Sequence, residues 1–133
     1  PLETLLVVGS CEELKPGVYR YDPRGHALTK IKAGDIRRDL AEASLGQTWM
    51  AGGAAMIVFT ANYPRTTDRY GERGRRYVHM EAGHAGQNVS LAAVALDLGT
   101  VVVAAFDDAQ VARVLGLPEG EAPLCIMPVG RKQ

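Results

Sequence analysis

At 133 residues the chain is long enough for one domain with one real core and too short for two comfortable ones. Its 15 Lys and Arg balance 15 Asp and Glu, so no global field favours nucleic acid or an anionic membrane surface, and any anion site must be local. The longest apolar runs, Ala54 to Thr60 and Thr100 to Phe106, fall far short of the roughly 20 residues that span a bilayer, and no basic-then-apolar leader opens the chain, so the expectation is a soluble, cytoplasmic protein.

Leu2 to Val8 (LETLLVV) reads as a strand ended by Gly9-Ser10. Val18 to Tyr21 alternates, Asp22-Pro23-Arg24-Gly25 signals a turn, and Ala27 to Ile31 alternates again, which together predicts a hairpin. Asp35 is placed to cap a helix from about Ile36 to Leu45, ended by Gly46. Ala54 to Ala61 (AAMIVFTA) predicts a strand buried on both faces. A helical region follows from about Pro64 to Leu98, broken or kinked near Gly71 and Gly74. Thr100 to Phe106 reads as another buried strand, Asp107-Asp108 starts a short helix through Leu115, and Pro123 to Val129 closes as a strand. Mixed strands and helices behind an opening hairpin predict an α+β domain over residues 1–133.

Cys11 and Cys125 lie far apart with no CxxC and no adjacent histidine pair, so free buried thiols are expected and no metal site is. HMEAGH spaces its histidines five apart and is not HExxH, which rejects a zinc hydrolase.

The stretch Glu81 to Gly99 (EAGHAGQNVSLAAVALDLG) is the most informative. At 3.6 residues per turn Val78, Ala82, Ala85, Val89, Ala92 and Leu96 form an apolar stripe predicted to face the core. Beside it Gly83, Gly86, Ser90 and Ala93 form a row of small residues, which lets another backbone or a flat ring approach closely. That closeness offsets the roughly 1 kcal/mol that glycine costs inside a helix. Met80, His84, Gln87, Leu91 and Ala95 form the other flank, where His84 and Gln87 either bond neighbouring backbone or face a wet site. Arg65, Arg69, Arg73 and Arg76, spaced four, four and three, would share one face if the segment stays helical, with Glu72 able to pair with Arg76. A solvated charged face and an anion site both fit that pattern; nucleic acid does not, for want of basic net charge and interleaved aromatics.

From YGERGRRYVHMEAGHAGQNVSLAAVALDLGTVVVAAFDD to APLCIMPVG the chain closely resembles the carboxy-terminal half of the nitroreductase-like flavoenzymes. Within them it is most similar to the SagB-type dehydrogenase branch, which oxidises azolines, and PLETLLVVG, PGVYRYDPRGHALTKI and GDIRRDLAEASLGQ resemble that branch too. The resemblance implies a mostly antiparallel sheet flanked by helices, FMN as cofactor, NAD(P)H as a possible electron donor, and a small-molecule or peptide substrate. It implies a homodimer whose small-residue helix face meets the second subunit. It assigns Ala104, Ala105 and Phe106 to the loop whose main chain reaches the flavin ring, Gln87 to a pocket wall, and Arg131 and Lys132 to phosphate charge. Tyr70 falls where the azoline-oxidising branch has a Lys-Tyr pair for proton handling, but its partner here is Arg69, which cannot act as a base near neutral pH.

The family's usual amino-terminal helices, with their phosphate-gripping arginines, have no counterpart in these residues, which leaves open a fragment, a split half, or a short form without flavin. The alternative to an oxidoreductase is therefore a non-catalytic dimerising scaffold of the same fold.

Overall fold

The computed structural model describes residues 1–132. Asp22 accepts from the main-chain N–H groups of Arg24 and Gly25, at 2.9 and 3.2 Å, as a short carboxylate does when it starts a turn. This turn joins β2 (Gly17–Asp22) to β3 (Ala27–Ala33) as the expected hairpin. β1 (Leu2–Val8) lies beside β2 and pairs on its other side with β4 (Ala55–Asn62). Beyond β4 come β6 (Glu121–Arg131) and the short β5 (Leu98–Thr100), giving the order β3-β2-β1-β4-β6-β5 with every pairing antiparallel. The α+β expectation holds.

Alternation along the central strands decides what each face carries. Leu5, Val7, Met56, Val58 and Ile126 join one buried cluster with Leu40 of α1 (Arg37–Ala43), Met50 of the 3-10 turn Thr48–Gly52, and Val111 and Leu115 of α4 (Asp108–Leu115). The intervening Phe59, Cys125 and Met127 form a second cluster with Ala85 and Val89 of α3 (Arg73–Ala95), which follows α2 (Pro64–Tyr70). Among the described residues no helix is long and apolar enough to cross a membrane.

Several local readings are corrected. Asp35 takes the main-chain N–H and the guanidinium of Arg37, and α1 starts at Arg37, with Ile36 in the capping position and no side-chain cap bond. Gly71, at φ 59°, separates α2 from α3, so the arginines do not share one face and Glu72 pairs with Arg75, not Arg76. Thr100 to Phe106 is not a buried strand: past Thr100 only Val103 meets a partner, Ile126, while Val101, Val102, Ala104 and Ala105 are exposed. Apolar side chains at a sheet edge look like interior strand in sequence, and only the pairing distinguishes them.

The core stripe of α3 is also displaced. Val78, Ala82, Gly86 and Ala93 are buried, whereas Ala92 is exposed and Leu96, past the end of α3 at Ala95, is exposed too. The small row therefore divides. Gly86 and Ala93 turn inward, with the Gly86 backbone so close to Met127 that an added Cβ would lie 3.6 Å from its sulfur. An added Cβ at Gly83 would meet nothing within 4 Å. Cys125 is buried, where burial pushes its thiol up, and Cys11 is exposed, contrary to expectation.

Candidate functional site

The segment that leaves the sheet after Thr100 is held at few points. Val103 exchanges main-chain bonds with Ile126 at 2.8 Å in both directions, Asp107 N–H donates to Ala43 at 3.0 Å, and the Gln47 side-chain amide donates to the Ala105 carbonyl at 2.9 Å. Asp107 then caps α4 by accepting from Gln110 N–H at 2.8 Å, a bond that holds its carboxyl below the usual range. Between these anchors the N–H groups of Ala104, Ala105 and Phe106 donate to no group among the described residues. A run of unspent main-chain donors on a fixed backbone is a ready hydrogen-bonding edge.

A cleft of about 360 Å³ lies between this segment and α3, with Ala82, Gly83 and Gly86 on the helix wall, Ala104 and Phe106 from the segment, and Asp108 and Cys125 also in the lining. The volume lies in the range of small-ligand sites, and the open wall at Gly83 suits a planar group. At the cleft Tyr63 and His79 bond through Tyr63 Oη and His79 Nε2 at 2.6 Å, their rings edge to face at 5.7 Å. Burial raises the Tyr63 hydroxyl above its usual value of 10.0, Arg75 stacked over its ring at 4.9 Å opposes that, and Asp108 reinforces it. The sequence reading missed this pair. The signal was there: His79 sits one turn before Gly83 on the small row, and Tyr63 adjoins the Pro64 that starts α2.

A second cleft, about 330 Å³, is lined by Trp49, Gly53, Gly99, Thr100, Val101 and Arg131, and the buried Thr100 hydroxyl has no partner among the described residues. A larger cleft of about 900 Å³ by β2 holds Arg20, Arg24 and Arg65, but Arg20 is paired with Glu3 and Glu121, at 3.2 and 3.1 Å, and Arg65 with Glu3 at 2.5 Å. No group of three or more His, Cys, Asp or Glu among the described residues could hold a metal ion.

A family model described as the Nitroreductase family matches residues 1–131. The chain belongs to the nitroreductase family. It is 45% identical over 132 residues to MJ1384 of Methanocaldococcus jannaschii, a protein named as a nitroreductase, covering 99% of this chain and 66% of that one. A structure from Anabaena variabilis, titled as a nitroreductase, superposes with a TM-score of 0.93 at 39% identity, over 99% of this chain and 27% of that one. The Escherichia coli microcin synthetase McbBCD complex, solved with truncated pro-MccB17 bound, gives 0.86 at 25% identity, over 100% and 52%. NADPH:FMN oxidoreductase from Vibrio harveyi, complexed with NAD+, gives 0.62 at 28% identity, over 73% and 46%. The chain thus spans less than two thirds of each of these relatives.

The structure brings together only some of the residues that the nitroreductase resemblance picked out. Ala104 and Phe106 line the first cleft, with Ala105 between them, and Arg131 lines the second. Lys132 donates to Asp97 at 2.9 Å. Gln87 and His84 are exposed on the outer flank of α3, and Gln87 does not line the first cleft. Tyr70 is half exposed at the end of α2, edge to face with Tyr77 at 5.3 Å and with the Arg69 guanidinium 5.4 Å from its ring centre.

Proposed function

We propose that this chain forms part of an FMN-dependent oxidoreductase passing hydride between NAD(P)H or an organic substrate and the flavin, and that two copies pair across the outer flank of α3. One observation carries the reading: Ala104 and Phe106, in a segment whose main-chain N–H groups donate to no group among the described residues, line a cleft whose helix wall is thinned at Gly83 and Gly86. The residues present fit a flavin edge, since a ring nitrogen or carbonyl needs donors and room rather than a charged side chain. FMN, when bound, supplies the atom that accepts and returns hydride.

The chain's own residues do the rest. The Ala105 main chain orients the ring and offers a donor where negative charge builds, while the side of α3 at Gly83 excludes water without crowding. Arg131, with Lys132, supplies charge for the phosphate. Gln87 acts from the second copy. That copy has a surface to occupy: Met80, Leu91 and Val94 are 54%, 60% and 68% exposed, too many large apolar side chains along one helix flank for a solvated face. The names of the Vibrio harveyi and microcin synthetase relatives support FMN with NADPH and a SagB-type branch, with a small-molecule or peptide substrate. Arg69, which cannot release its proton, favours reduction over azoline oxidation.

Adding FMN to the intact gene product tests this. A yellow protein that bleaches with NADPH under anaerobic conditions is expected; FMN that passes wholly through an ultrafilter overturns it. One observation favours a flavin-free scaffold: Lys132 is occupied by Asp97, leaving Arg131 as the cation lining the second cleft. That second reading predicts a colourless dimer.

A further inference from the structure

We infer that Tyr63 and His79 are the proton-delivery pair of the first cleft, Tyr63 donating to the bound acceptor and His79 positioning and reloading it. The inference rests on the oxidoreductase reading of that cleft. Tyr63 stands at the start of α2 and His79 in the second turn of α3, and the fold joins them at 2.6 Å on the lining that also carries Gly83, Ala104 and Phe106. The charged groups facing Tyr63 are Arg75 of α3, over its ring, and Asp108 of α4; the balance keeps the proton on the hydroxyl, so Tyr63 is a donor and not a base.

The chemistry needs such a donor. When a quinone or nitro acceptor takes hydride at one atom of its polarised double bond, the electron pair of that bond moves to the oxygen, which must gain a proton. Tyr63 O–H breaks to supply it and becomes a phenolate; His79 in its imidazolium form returns a proton from Nε2, and His79, exposed, reloads from water. The acceptor has gained one hydride and one proton, and NAD(P)H has lost the hydride. The protonation of His79 sets the direction of its bond with Tyr63. Neutral His79 accepts the Tyr63 proton, whereas imidazolium His79 donates to the Tyr63 oxygen and frees the hydroxyl proton for the cleft.

The test compares two acceptors with NADPH as donor on the FMN-loaded protein. Menadione needs a proton with each hydride; ferricyanide takes electrons without one. Tyr63→Phe should lower menadione turnover by roughly a hundredfold and leave ferricyanide turnover within about twofold, which also shows that the variant is folded and loaded. His79→Gln should lower the menadione-to-ferricyanide ratio as well, by less than Tyr63→Phe does. In flavin-free protein the NMR signals of the His79 ring should shift in Tyr63→Phe and stay in place in Tyr70→Phe. Equal losses with both acceptors, an unchanged ratio, unmoved His79 ring signals, or the selective loss appearing in Tyr70→Phe instead would overturn the inference. Wild-type protein that NADPH does not bleach would remove the oxidoreductase reading and this inference with it; bleaching with an unchanged ratio removes this inference alone.

Discussion

The two sides of α3 both carry apolar residues and have opposite fates. Toward the sheet, Val78, Ala82, Gly86 and Ala93 are buried, and Gly86 lets the helix settle onto Met127. Away from it, Met80, Leu91 and Val94 are exposed although Met80 and Leu91 are larger than any of those four. The difference teaches that the helix docks by closeness rather than by bulk: where the backbone must approach β6 the chain uses glycine and alanine, and it keeps its large side chains for a surface the protomer does not cover. Gly83 lies between the two regimes, with neither a sheet nor a side chain against it.

Four changes break or sharpen that contrast. Met127→Ala empties the place where Gly86 packs and should cost about 2–5 kcal/mol in chemical denaturation, far more than any change on the outer flank. Leu91→Asp on the outer flank should turn a dimer into a monomer in analytical ultracentrifugation while moving protomer stability by no more than about 0.5 kcal/mol; a variant that stays dimeric would place the interface elsewhere. Gly83→Ala meets open space, so it should stabilise the protomer by roughly 0.5–1 kcal/mol in thermal unfolding yet weaken FMN uptake, because its methyl enters the cleft.

The smallest effect is remote from both faces. At Glu3 burial pushes the carboxyl up, but Arg65 and Arg20 outweigh it and hold the group below its usual 4.5. A depressed acid contributes stability that is complete above 4.5 and is lost as pH falls through the lower folded value. Stability measured from pH 6 downward should fall less steeply in Glu3→Gln below 4.5, with the oligomeric state unchanged.

Much of the fold was legible because its signals are local. The Asp22 turn, the doubly buried AAMIVFTA strand, the break at Gly71 and the Asp107 start of α4 each depend on a few neighbouring residues. The readings that failed depend on partners distant in sequence. Val101 and Val102 are as apolar as Val58, and only the absence of a strand beside them makes them exposed. Of the site, the AAFD segment was found through family likeness, and the helix wall through its glycines. The Tyr63–His79 bond was not found, because its members stand sixteen positions apart on different helices.

By itself the sequence determined the α+β class, most of the element order and the neutral charge balance, since periodicity, turn chemistry and residue identity are written along the chain, and its resemblance to a family picked out Ala104, Ala105 and Phe106. Only the tertiary structure decided which row of α3 is core, where the 101–106 segment leaves the sheet, and which hydroxyl faces the cleft. Those depend on how closely β6 and α3 approach, and that distance is set by packing between residues some forty positions apart, such as Gly86 and Met127.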